Sequence, residues 1–176
     1  MRAFLQALVL LPGTVLVLVP AVILAFTGFK TGFAEPTLAG ILFFWAGLSC
    51  AAAGLVLVVW CSALFLRRGR GTPAPWDPPR AFVVAGPYRH VRNPMISGVL
   101  LILAAEALLL RSWALAAWWA VFLVGNVLYI PLVEEPGLVN RFGDDYRAYK
   151  ARVPRWLPRR SGGTREADFL PGAKRR

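Results

Sequence analysis

Residues 95–133 read MISGVLLILAAEALLLRSWALAAWWAVFLVGNVLYIPLV, with Glu106 and Arg111 as the only charges. Arg111-Ser112 divides the stretch into two apolar arms, Met95 to Leu110 and Trp113 to Val133. Two such arms around a short polar tip predict a helical hairpin that leaves through a bilayer and returns. The outgoing arm would measure roughly 24 Å at ~1.5 Å per residue, against a hydrocarbon layer of ~30 Å. It barely spans, and a re-entrant hairpin stays open.

Two more apolar runs precede the hairpin. Leu5 to Phe26 is long enough to cross, and no small-residue cleavage site follows it, so a retained span is favoured over a signal peptide. Pro12, Gly13 and Pro20 predict a bend there, which membranes tolerate. Leu38 to Leu66 is overlong and therefore tilted or extended beyond the lipid. Its Gly40, Gly47, Ala51 and Gly54 are small enough to let another helix approach closely. Cys50 and Cys61 share this run, roughly 16 Å apart on one helix, beyond disulfide reach. They spell no metal site.

The composition agrees. Hydrophobic residues make up 57% of the 176 and charged residues 16%, below the ~25% of a soluble domain. Yet 20 Lys+Arg against 9 Asp+Glu leave a net charge of +11. Nucleic-acid binding would account for the charge but not for the apolar runs. The basic residues gather at one face: six lie between Arg67 and Arg92, and eleven follow Glu134. Lys30 and Arg111 alone fall on the other side. The positive-inside rule then puts both termini and the linker in the cytoplasm.

The expected architecture is an all-α integral membrane protein with about four transmembrane helices, a C-terminal helical hairpin and a cytoplasmic amphipathic tail. Its parts are two N-terminal spans (1–66), a cytoplasmic linker (67–94), the hairpin (95–133), C-terminal helices covering a site (134–160) and a flexible basic end (161–176). In the tail Phe142, Tyr146, Tyr149 and Val153 recur at helical spacing and predict one buried or membrane-facing stripe. Gly143 can end one helix and Asp144 can cap the next.

Three cytoplasmic features could carry chemistry. GPYRHVRNP, residues 86–94, leads into the hairpin, with Asn93 as N-cap and Pro94 as first helical residue. Such a helix start, flanked by Arg89 and Arg92, suits a carboxylate or phosphate. Glu134-Glu135 stands where the hairpin returns; it can hold Arg89 or Arg92, or bind a cation or a hydroxyl-rich ligand. Hairpin geometry would bring Pro94 and Glu134 to within ~8–10 Å. Donors for an anion would then face acceptors for a cation, a combination that matches S-adenosylmethionine. FGDDYRAY (142–149) and VPRWLP (153–158) could close over such a pocket.

GPYRHVRNPMISG followed by EEPGLVNRFGDDYRAYKARVPRWLP resembles the isoprenylcysteine carboxyl methyltransferase family, akin to the membrane phospholipid N-methyltransferases. The resemblance covers about residues 80–158; the first two runs resemble the family only in being apolar. It implies a helical membrane enzyme that binds S-adenosylmethionine on the cytoplasmic side and draws a lipophilic acceptor from the bilayer. Carried over by position, the cofactor contacts would be Arg80, Ala81, Phe82, Val83, Tyr88, the tetrad Asn93, Pro94, Met95 and Ile96, and Glu134, with Glu135 beside it. The family's tetrad is usually His-Pro-x-Tyr, so Asn93 and Ile96 depart from it. Asn93 can still donate and accept hydrogen bonds, whereas Ile96 lacks a hydroxyl. Eukaryotic members place a substrate-binding arginine four residues before the first glutamate, where this chain has Ile130.

Methyl transfer from a sulfonium is an in-line displacement that needs positioning more than acid–base groups. No metal is expected. His90, the sole histidine, and Arg92 are the candidate catalytic residues, His90 as a base for an ammonium acceptor. The expected partners are a lipophilic acceptor and membrane lipid, with no nucleic acid. Glu106, near the outer tip and Arg111, is expected to snorkel. Two other readings stay open: an NADPH-dependent reductase relative, and a non-catalytic membrane protein that binds anionic lipid.

Overall fold

The computed structural model describes residues 12–28, 37–69 and 84–158, and among these every regular element is helical. A π-turn, Thr14–Leu18, leads into α1, Val19–Thr27. The long helix α2, Leu38–Leu64, ends in a second π-turn, Phe65–Gly69. A 3-10 turn, Gly86–Arg89, precedes α3, Pro94–Leu109, and α4, Trp113–Tyr129. A third π-turn, Ile130–Glu134, joins α4 to α5, Glu135–Arg152.

Two helices are long and apolar enough to cross a membrane: Leu38–Arg67, 30 residues, and Trp113–Arg152, 40 residues. The apolar part of the second, Trp113 to Val133, would measure roughly 32 Å, about the thickness of the hydrocarbon layer. Its charged half beyond Val133 therefore stands outside the lipid. Both helices turn apolar side chains outward, among them Leu55, Val56 and Val59 on α2 and Val121, Val124 and Leu128 on α4. Without water-compatible groups on those faces, lipid is the solvent that fits them. Among the described residues the apolar helices Thr14–Thr27 and Pro94–Leu109 are shorter, and residues 1–11 of the first expected span lie outside them, so two of the four expected spans are met there on length and composition.

The hairpin forms where its tip was expected. Arg111 takes a left-handed φ of 47°, and Ser112 caps α4 by accepting from the Leu115 N–H at 3.4 Å. Thr37 caps α2 in the same way, accepting from Gly40 N at 3.1 Å. The α2–α3 crossing is close because glycine lies on both sides. A Cβ on Gly54 would sit 2.7 Å from the Gly98 carbonyl oxygen, and one on Gly98 2.9 Å from Val58 Cγ2. Val58, Val99 and Leu103 form the core there, with Trp118, Trp119 and Phe122 of α4 packed against them.

The first π-turn has a readable cause. The Val19 N–H reaches back to Thr14 O, and Pro20 has no N–H to offer Val15. The Val15 carbonyl instead accepts from the Trp118 indole at 3.2 Å, tying the first helix to α4. Trp119 likewise donates to Leu100 O at 3.1 Å. A carbonyl in lipid needs such a partner.

The helix continues through Glu134-Glu135: the π-turn carries it into α5, and the interruption comes at Gly143, with φ 57° and ψ −129°. Glu106 is half-buried, its Oε2 buried without a hydrogen-bond partner. Cys50 and Cys61 are both free, Cys61 fully buried.

Candidate functional site

The 3-10 turn Gly86–Arg89 rests on the C-terminal end of α2. Gly86 has φ 54°, and a Cβ there would meet Leu64 Cδ1 and Trp60 Nε1 at 3.1 Å, so only glycine fits. Tyr88 is thereby buried, its ring edge-on to Phe65 at 5.5 Å. Burial pushes its hydroxyl well above the ordinary tyrosine range, and Cys61, Tyr149 and Glu134 push it further.

The C-terminal helix closes over this turn. Tyr146, Tyr149 and Val153 are buried with Val84, and Leu138, Val139 and Phe142 pack against them. This is the stripe read from the sequence, turned inward rather than onto lipid. Tyr149 donates its hydroxyl to Tyr88 O at 2.7 Å. The chain after α5 then pairs with the approach to α3: Arg92 N donates to Pro154 O at 2.9 Å and Asn93 N to Arg155 O at 3.4 Å.

Glu135 fixes the same junction electrostatically. Its carboxylate, 2% exposed, meets Arg92 Nη1 at 2.8 Å, Arg155 Nε at 2.9 Å and Lys150 Nζ at 2.7 Å. Burial alone would raise its pKa. The bonds from Arg155 and Lys150 and the charges of Arg92 and Arg155 outweigh it, and the carboxyl lies below its ordinary value. Three cations on one buried carboxylate make Glu135 a structural hub. Glu134 is half-buried, and burial first, then Glu135, raise its carboxyl.

The other candidates are placed as follows. Asn93 occupies the N-cap position of α3, but its side chain makes no capping bond. Its Nδ2 is buried without a hydrogen-bond partner, as is Ser62 Oγ on α2. Pro94 opens α3 and is buried, while Met95 and Ile96 are half-buried on its first turn. Arg92 commits its Nη1 to Glu135, and His90 is exposed. Arg80, Ala81, Phe82 and Val83 lie outside the described residues.

Beside this junction is a cavity of about 570 Å³, within the ~300–1,000 Å³ range of small-molecule sites. Leu57 and Trp60 of α2 form one wall, and Gly86 to Val91 without Tyr88 form another. Pro94, Ser97, Trp156 and Pro158 complete it. The contribution of α2 was not read from the sequence. Apolar residues surround this helix, and its small-residue stripe marks the contact with α3 rather than the cavity wall.

No curated protein and no solved structure matches the chain. A sequence model of the phospholipid methyltransferase family matches residues 42–145. That stretch runs from the membrane half of α2 through the 3-10 turn, the hairpin, Glu134 and Glu135 into α5. It covers more than half of the sequence and the greater part of the site. The chain belongs to the phospholipid methyltransferase family, a family of membrane methyltransferases.

Proposed function

We propose that this protein is an S-adenosylmethionine-dependent methyltransferase that works at the cytoplasmic face of a membrane on a lipophilic acceptor. The observation that carries the reading is Asn93 Nδ2, a buried donor with no partner at the start of α3. Burying such a group unpaired costs about 1–3 kcal/mol, so a bound acceptor atom would be strongly favoured there. Ser62 Oγ offers a second unsatisfied group. The first turn of α3 adds its N–H groups and partial positive charge.

These residues suit the two ends of an amino acid. Asn93 and the α3 N-terminus would hold its carboxylate, and Glu134 would face its ammonium group or a ribose hydroxyl. Tyr88, Pro94, Met95 and Ile96 would form the surrounding wall, with Arg80 to Val83 completing it. Glu135 acts by holding Arg92, Lys150 and Arg155 in place. When bound, S-adenosylmethionine supplies an electrophilic methyl group on a sulfonium.

The chain's own task is then positioning and drying. Tyr146, Tyr149 and Val153 cover the turn from the water side, and the α2–α3 crossing closes the membrane side. A nucleophile at this depth loses hydration before it reacts. With an anionic acceptor no base is needed; with an ammonium acceptor His90, on the cavity wall, would take the proton. The basic linker and tail put this face in the cytoplasm by the positive-inside rule.

The test is isotopic. Purified full-length protein in mixed-lipid vesicles is given S-adenosylmethionine with a labelled methyl group. Label entering the lipid fraction, reduced at least tenfold by Asn93→Leu, is expected. A folded parent that transfers nothing to any lipid class, while Asn93→Leu behaves identically in cofactor binding, would remove the proposal.

A further inference from the structure

The positions carried over from the resembled family all follow residue 79, so α2 has no assigned part in holding a ligand. Its two serines nevertheless behave differently. Ser49 donates its hydroxyl to Trp45 O at 2.8 Å. Elsewhere in the apolar helices Thr27 bonds Ile23 O at 2.8 Å, Ser97 bonds Asn93 O at 3.0 Å, and Asn126 Nδ2 bonds Phe122 O at 2.8 Å. Each reaches the carbonyl four residues back, which satisfies a polar side chain where no water is at hand. Ser62 breaks the pattern. The residue is 8% exposed, and its Oγ is buried with no partner.

The crossing with α3 fixes where that hydroxyl lies. A Cβ on Gly47 would meet Leu109 Cγ at 2.7 Å, and one on Gly54 would meet the Gly98 carbonyl oxygen at 2.7 Å. The two helices therefore run antiparallel. A Cβ on Gly98 would meet Val58 Cγ2 at 2.9 Å. Ser62 follows Val58 by four residues and Pro94 precedes Gly98 by four, so each continues the contacting face of its helix by one turn. Ser62 thus stands level with the first turn of α3. Asn93, just before it, is 9% exposed, and its Nδ2 is the second buried group without a partner. Its side chain makes no capping bond. The first intrahelical bond of α3 runs from Ser97 N to Asn93 O at 3.1 Å, which leaves the N–H groups of Met95 and Ile96 without an acceptor inside the helix.

We infer that Ser62 is a ligand-binding residue, whose hydroxyl joins Asn93 Nδ2 in donating to the α-carboxylate of the methyl donor. The assignment rests on the methyl-donor reading and deepens it by giving the long membrane helix a contact of its own. An amide N–H, a hydroxyl and a helix start in one layer suit an oxyanion. Bonds to an ionised oxygen are also stronger than bonds between neutral groups. The neighbouring acid decides which oxyanion. Cys61, beside Ser62, shares a hydrogen bond with the Tyr88 side chain, and Glu134 is near enough to act on the same tyrosine. An amino acid has an ammonium group for Glu134 as well as a carboxylate for the donors. A phosphate or a simple carboxylate has nothing to offer that acid and is repelled by it.

The experiment is calorimetric titration of the full-length protein in detergent with two compounds. One is S-adenosylmethionine, and the other is its decarboxylated analogue, which keeps the sulfonium, the ammonium and the ribose. Ser62→Ala should bind S-adenosylmethionine about tenfold more weakly than the parent, the usual loss for one bond to a charged group, and the analogue within about twofold. Ser49→Ala, which removes a hydroxyl already bonded within α2, should bind both as the parent does. Melting of the unliganded proteins gives a readout that separates binding from structure. Because Ser62 Oγ has no partner, alanine there should leave the melting temperature unchanged or raise it.

Equal weakening of both compounds by Ser62→Ala, or weakening of neither, would overturn the assignment. So would a melting temperature lowered further by Ser62→Ala than by Ser49→Ala, since the hydroxyl would then be bonded inside the folded chain. These outcomes, with S-adenosylmethionine still bound by the parent, refute the assignment alone. A folded parent that binds neither compound removes the methyl-donor reading, and the assignment falls with it.

Discussion

Glu135 and Asn93 sit at the same junction and behave in opposite ways. Glu135 has more cations than it needs, and Asn93 Nδ2 has no partner. Removing the hub should therefore cost stability, whereas altering Asn93 should cost binding. Glu135→Gln is expected to destabilise the fold by about 3 kcal/mol, because Arg92 and Arg155 lose the charge that offsets their burial. Lys150 is largely exposed and adds little to that figure. The pH dependence has a definite sign. Since the folded carboxyl lies below its ordinary value of 4.5, its stabilisation is fully present above that pH. It fades as the pH falls through the folded value. Melting curves of parent and Glu135→Gln should thus differ at neutral pH and converge on acidification; a constant gap would contradict this. Tyr149→Phe removes the bond to Tyr88 O and should cost about 1 kcal/mol in the same assay.

Helix α2 meets α3 through backbone, so its tolerance is narrow. Gly54→Ala would drive a Cβ against the Gly98 carbonyl, which cannot move aside as a side chain could. A loss of about 1–3 kcal/mol, the usual range for overpacking, is expected in thermal melting. Trp118→Phe should cost about 1 kcal/mol by leaving Val15 O unpaired beside Pro20. The hairpin ends were legible because Arg111-Ser112 is the only polar break between two apolar arms, and a capping serine has one place to go. The C-terminal stripe was legible because four large side chains recur at one spacing. What α2 would contribute was not, since its apolar residues surround the helix and only packing against Gly98 and Gly86 sets its rotation. Nor was the unbroken passage through Glu134. There a π-turn absorbs Pro131 and keeps the helix going.

Taken whole, the molecule joins a half with exposed apolar faces to a polar clasp. The long helices expose apolar faces that require lipid, and the clasp of α5 on the 3-10 turn is polar, tightly hydrogen-bonded and rich in cations. The family match runs through the membrane-facing half and the 3-10 turn into the first turns of α5. The proposed orientation, with this clasp in the cytoplasm, is open to a direct test. A cysteine introduced at exposed Arg147 should be modified by a membrane-impermeant maleimide only after inside-out vesicles are made, and modification from the outer side would reverse the orientation. The chemical identity of the donor is the claim on which the rest depends. Its most direct test is calorimetric titration of S-adenosylmethionine into the purified protein in detergent, with Asn93→Leu and Glu134→Ala alongside. Saturable one-site binding by the parent, weakened at least tenfold in both variants while their melting stays near the parent's, is the predicted result. A folded parent that takes up no S-adenosylmethionine, or binding indifferent to both substitutions, would contradict it.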